Sequence, residues 1–149
     1  MEIKTNYILL VEDNPDDVEL TKLAFKKNNF ANKIINVEDG EEALGFLFGD
    51  HPDGVKTNGY PVIILLDLKL PKVDGHQVLK KIKSNKTTKL IPVVIMTSSK
   101  EEEDIINGYN LGANSYVRKP VDYKEFVEVV NNVGIYWLAV NQPSVNLEK

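Results

Sequence analysis

The chain has no cysteine, which excludes disulfides, thiol catalysis and any metal site built on thiolates. Histidine is almost as scarce. His51 and His76 stand in "GDHP" and "DGHQ", which resemble no metal motif, and both are expected to face solvent. No stretch approaches the ~20 consecutive apolar residues of a membrane-spanning helix. The opening "MEIKTNYILLVEDNP" has an acid at position 2 and only a short apolar run, unlike a secretory signal. Positive charge is also in short supply. Eighteen basic against 22 acidic residues give a net charge of −4, which argues against non-specific nucleic-acid binding. The expectation is a cytoplasmic globular protein without membrane or nucleic-acid partners.

What is present suffices for one ordinary core. The 149 residues, 42% hydrophobic and 27% charged, suit a single domain. Four apolar runs read as strands: Tyr7 to Val11, Val62 to Leu66, Ile91 to Met96 and, shorter, Ser115 to Val117. "KIINV" at 33–37 is a fifth, from its β-branched residues. Helical signals lie between them. Asn14-Pro15 is an N-cap residue followed by proline at the first helical position. "EEALGFLF" and "HQVLKKIKSN" have helical spacing, "EEEDIINGYNLG" opens with three acids, and "DYKEFVEVVNNVGIYWLAV" carries an apolar stripe of Phe126, Val129, Val130, Val133 and Trp137. Alternating strands and helices mean a parallel sheet covered on both faces. The fold class expected is therefore α/β, a doubly wound five-stranded parallel sheet. "GDHPDGVKTNGYP" reads as one surface loop within that domain.

The strand ends carry the chemistry. The first ends in Glu12-Asp13, the third in Asp67, the fourth in Thr97 and the fifth in Lys119. Open parallel sheets bind ligands beyond the carboxyl ends of their strands, at the point where strand order reverses. With the order 2-1-3-4-5, three carboxylates, a hydroxyl and an ammonium would share one pocket. Carboxylates ~5 Å apart repel by roughly 3 kcal/mol at an effective dielectric of ~20. Such a group needs a cation, and oxygen ligation by carboxylates and water suits Mg²⁺. Asp67 could then act as a nucleophile towards phosphorus. Taken singly, each residue also fits a plain role: Asp67 and Thr97 as turn or cap residues, Glu12-Asp13 as solvated acids, Lys119 as a surface lysine. Their joint order along the chain favours the chemical reading.

The segments "ILLVEDNPDDVEL", "ILLDLKLPKVDG", "PVVIMTSS" and "GANSYVRKP" resemble the successive motifs of response-regulator receiver domains. The resemblance implies a (βα)5 flavodoxin-like fold in which Asp67 accepts a phosphoryl group from a histidine kinase. It implies that Asp13 and Asp67 bind Mg²⁺ directly with the backbone carbonyl of Lys69, and that Glu12 acts through water. Thr97 would bond a phosphoryl oxygen and Lys119 would pair with it. Tyr116 would turn inward as Thr97 moves, and Lys119-Pro120 would be a cis bond. The long loop and the ending "FVEVVNNVGIYWLAV" are similar to stand-alone regulators that partner phytochromes, so a phytochrome is the expected kinase. The receiver would span 1–140, with 141–149 as a tail and no output domain. The face of the fourth helix, fifth strand and fifth helix would then carry the signal, through a phosphorylation-sensitive homodimer. Val127, Ile135 and Tyr136 fall off the core stripe and could cover that face, while Gly134 could end the helix early. A phosphatase of the haloacid-dehalogenase type also forms an aspartyl-phosphate, but it has an acid where this chain has Lys69. A flavodoxin-like nucleotide binder would need a phosphate loop where "EDNPDD" stands.

Overall fold

The apolar runs become strands. The computed structural model describes residues 7–27, 30, 32–98, 102–119 and 122–140. It contains β1 (Ile8–Val11), β2 (Ile34–Val37), β3 (Ile63–Leu66), β4 (Val93–Thr97) and β5 (Ser115–Arg118). All pair in parallel in the order β2-β1-β3-β4-β5, the doubly wound topology expected. β1, β3 and β4 are buried along their whole length, which is why their sequences show no alternation. β4 begins at Val93 rather than Ile91. Pro92 has no N–H for the ladder, and the Ile91 N–H closes a 3₁₀ turn onto the Thr88 carbonyl at 3.0 Å.

Three helices start on side-chain caps. At α1 (Pro15–Lys27) the Asn14 carboxamide oxygen accepts from the N–H groups of Asp16 and Asp17, at 2.9 and 3.3 Å. At α2 (Gly40–Phe48) the Asp39 carboxylate accepts from the Glu42 N–H at 2.7 Å. At α3 (Gly75–Ser84) Asp74 and Gln77 form a reciprocal capping box. α4 (Glu102–Asn110) and α5 (Tyr123–Gly134) complete the set. Strand alternation then builds two cores. Leu9, Val11, Ile64, Leu66 and Ile95 meet Phe46, Val78, Leu79 and Ile82 of α2 and α3. Ile8, Leu10, Leu65, Val94 and Met96 meet Val18 and Phe25 of α1 and Phe126, Val130 and Val133 of α5. Each such fully buried side chain contributes about 1.5–3 kcal/mol.

Three expectations change. The connection from α2 to β3 holds a helical turn, Val55–Asn58, and is tied down at both ends. The Tyr7 hydroxyl donates to the Gly59 carbonyl at 2.6 Å. His51 packs on Phe46, accepts the Asp53 N–H on Nδ1 at 3.0 Å, and so carries its proton on Nε2, 3.0 Å from the Glu42 carboxylate. It does not face solvent. Gly134, in turn, does not stop the last helix, which continues in wider π-type turns over Ile135–Val140. A Cβ at Gly134 would lie 2.5 Å from the Phe30 ring, so the glycine admits that ring against the helix. Val127, Val129 and Trp137 pack half-buried on the second core, while Ile135 and Tyr136 stay exposed. The tail, 141–149, lies outside the described residues.

Candidate functional site

Parallel register brings the strand ends to one edge. Val11 pairs with Leu66, Leu66 with Ile95, and Thr97 with Arg118. The ladder runs one step further, because the Asp67 N–H donates to the Val11 carbonyl at 3.1 Å and the Lys119 N–H to that of Thr97 at 2.7 Å. Glu12, Asp13, Asp67, Thr97 and Lys119 are gathered by these bonds. Gly75 holds α3 close to them. A Cβ there would meet the Asp67 carbonyl oxygen at 2.4 Å and Leu68 Cα at 2.6 Å, a backbone approach that only glycine allows.

Carboxylate oxygens of Glu12, Asp13 and Asp67 lie within 4.8 Å of one another. Glu12 and Asp67 are buried and Asp13 is exposed. The Lys119 ammonium sits among the acids, donating to Glu12 Oε1, to Asp67 Oδ2 at 3.0 Å and to Asp17 Oδ2 at 2.9 Å. The second Asp67 oxygen accepts from the Lys69 N–H at 3.2 Å, and the second Glu12 oxygen from the Asn14 N–H at 3.1 Å. Burial pushes the Glu12 carboxyl up to about 7, more than Lys119 pulls it down. Burial also acts to lower the Lys119 ammonium, but the Asp67 and Glu12 carboxylates outweigh it and hold that group above its ordinary value. Thr97 is fully buried. Tyr116 is half-buried with its hydroxyl buried, its ring lying over Gly108 and beside Tyr109.

The donor set suits a hard divalent cation. Three carboxylates converge, one open to water, and no thiol or imidazole is among them. Beside Asp13 opens a cleft of about 450 Å³ lined also by Lys69, Asp74, His76 and Asp104. His76 is half-buried there, its Nε2 3.5 Å from the Asp104 carbonyl, so it too departs from the solvent-facing expectation. Pro120 lies outside the described residues. The residue that sequence reasoning missed is Asp17. Nothing local in "EDNPDD" singles it out, and the available signal is Pro15, which fixes the start of α1 and hence the direction of the acids after it.

Residues 8–131 match the response regulator receiver domain family. Over 135 residues the chain is 39% identical to the probable methanogenesis regulatory protein FilR2 of Methanothrix harundinacea, covering 91% of this chain and 85% of that one. Over 133 residues it is 38% identical to the response regulator Rcp1 of Synechocystis sp., covering 88% of each. The structure of the phosphorylated cyanobacterial phytochrome response regulator RcpA superposes with a TM-score of 0.88 at 35% identity, over 94% of this chain and 99% of that one. The Mn²⁺-bound form of Rcp1 superposes at 0.84, with 36% identity and coverage of 97% and 99%. The match runs through every strand whose end supplies the acids and the lysine, and the chain belongs to the response regulator receiver family.

Proposed function

We propose that this protein accepts a phosphoryl group from a histidine kinase onto Asp67 in a Mg²⁺-dependent reaction. One observation carries the reading: the Lys119 ammonium is held 3.0 Å from Asp67, beside a three-carboxylate cluster that needs a cation. An oxygen of Asp67 attacks the phosphorus of a phosphohistidine. The P–N bond breaks, the imidazole leaves with the electron pair, and an acyl phosphate forms. Lys119 and the Thr97 hydroxyl donate to the phosphoryl oxygens as charge gathers there. Asp13, Asp67 and the Lys69 backbone carbonyl would hold Mg²⁺, with Glu12 acting on it indirectly, and the ion would supply charge neutralisation. Turnover is confined to the protein's own phosphorylation and dephosphorylation. The likeness to RcpA supports a phytochrome-type kinase as the donor.

In the same reading residues 1–140 are the receiver and act in the cytoplasm. No helix among the described residues is long and apolar enough to cross a membrane. The signal passes from Thr97 and Tyr116 to the α4-β5-α5 face, and a second copy of the chain docks there. The phosphatase alternative lacks support, because Lys69 stands where its acid would be and the matching family is that of receivers. Incubation with acetyl phosphate and Mg²⁺ should add one phosphoryl group that hydroxylamine releases, and Asp67→Asn should abolish it. Full labelling of Asp67→Asn would overturn the assignment.

A further inference from the structure

An ammonium has three N–H donors, and in Lys119 all three are taken, by Glu12, Asp17 and Asp67. On the functional reading above, a phosphoryl group on Asp67 presents new charged oxygens to the same ammonium. One present partner must then give way. The partner that yields is the one whose carboxylate loses least on return to water, since a charge left buried and unpaired is very costly. Side-chain exposure decides between them: 4% for Glu12, 10% for Asp67 and 29% for Asp17. Asp67 also stays next to the lysine through the phosphoryl group it carries.

Asp17 differs from the others in where it comes from. Glu12, Asp67 and Lys119 follow strands, whereas Asp17 stands in the first turn of α1. Its N–H donates to Asn14 Oδ1 at 3.3 Å and its carbonyl accepts from the Thr21 hydroxyl at 2.7 Å. The helix therefore fixes its position, and it cannot follow the lysine towards a new partner.

We infer that Asp17 is a positioning residue that holds Lys119 in its resting pose and competes with the phosphoryl group for it. The inference rests on the functional reading above. Asp17 touches no reacting atom and acts through Lys119. It stabilises the resting protein and opposes the phosphorylated one, and the exchange of partners unties α1 from the strand ends.

The test uses the whole chain with Mg²⁺ and beryllofluoride, a phosphoryl analogue. Asp17→Asn removes the charge at nearly constant shape. Without metal it should lower the urea midpoint of unfolding. With Mg²⁺ it should bind beryllofluoride roughly two- to fivefold more tightly than the wild type, the range of a partly exposed ion pair. Asp17→Glu keeps the charge and should restore wild-type affinity. A purely structural role would weaken folding and analogue binding together, so opposite signs separate the two. A second reading separates partner exchange from mere loss of a negative charge, and it needs no variant. In the wild type, the Asp17 carboxylate carbon signal in NMR should move to the position of a hydrated carboxylate when beryllofluoride binds. An unmoved signal, or affinity in Asp17→Asn no tighter than wild type, overturns this inference alone. Wild type that takes up neither beryllofluoride nor a phosphoryl group overturns the functional reading with it.

Discussion

Of the three carboxylates that converge at the strand ends, only Asp13 is exposed. Its charge repels Glu12 and Asp67, but it lies in water, so the roughly 3 kcal/mol of a pair at a dielectric of ~20 shrinks to about 1 kcal/mol. Asp13→Ala should therefore raise the metal-free stability by about 1 kcal/mol. It should also weaken Mg²⁺ binding by at least about tenfold, since even outer-shell partners of a metal cost that much. Urea titrations with and without Mg²⁺ measure both, and an unchanged Mg²⁺ affinity would count against Asp13 as a ligand. Lys83 poses a different problem. Its ammonium donates to the Lys89 and Ile91 carbonyls and to Asn114 Oδ1 at 3.0–3.1 Å, yet burial lowers it to about 8. The unfolded chain keeps that proton to about pH 10.5. Between these values the unfolded state binds more protons, so this group makes stability rise with pH across the window. Lys83→Met should flatten the rise in urea midpoint between about pH 8 and pH 10. A slope that survives the substitution belongs to another group.

At the scale of elements, the packing of Phe30 on α5 sets two effects against each other at Gly134. Helix propensity alone predicts that Gly134→Ala stabilises by about 1 kcal/mol. The new methyl would meet the Phe30 ring at 2.5 Å, and that ring also packs edge-on against Phe25 at 5.6 Å. Displacing it costs about 1–3 kcal/mol, so the net outcome should be a loss of about 1 kcal/mol. In a Phe30→Ala background the sign should reverse, and thermal unfolding of the four proteins in that cycle checks it. The elements were legible where local signals act alone. Fully covered strands show as unbroken apolar runs, and Asn14-Pro15 marks a helix start through bonds within a few residues. The start of β4 was misplaced because a neighbouring 3₁₀ turn took the Ile91 N–H. Gly134 could equally end the helix as far as the sequence tells, because its reason for being glycine, Phe30, is distant in sequence. The acids and lysine at the strand ends could be read, because β-sheet register alone gathers them. Asp17 could not, since its meeting with Lys119 depends on where tertiary packing puts the first turn of α1 relative to the residue after β5.

For the whole molecule, the exposed apolar side chains matter most on one side. Ile106 and Tyr109 of α4 and Ile135 and Tyr136 beyond α5 are exposed, on the face through which the proposed signal leaves. Sedimentation over a concentration series should show a dimer that tightens on phosphorylation. A monomer in both states would leave that face to a different protein or to the tail. The parallel sheet also gives the molecule two unlike ends. The acids lie at the carboxyl ends of the strands, while the close of the connection before β3, where the Gly59 carbonyl meets the Tyr7 hydroxyl ahead of β1 and Thr57 is exposed, lies at the other. That part is anchored through Tyr7 and through the Thr57 N–H on the Gly54 carbonyl, a bond that does not involve the threonine side chain. Because the chain has no cysteine, Thr57→Cys would introduce a unique thiol. A dye or surface tether attached there would hold the protein by its far end and leave the acidic end turned to solution, accessible to a kinase.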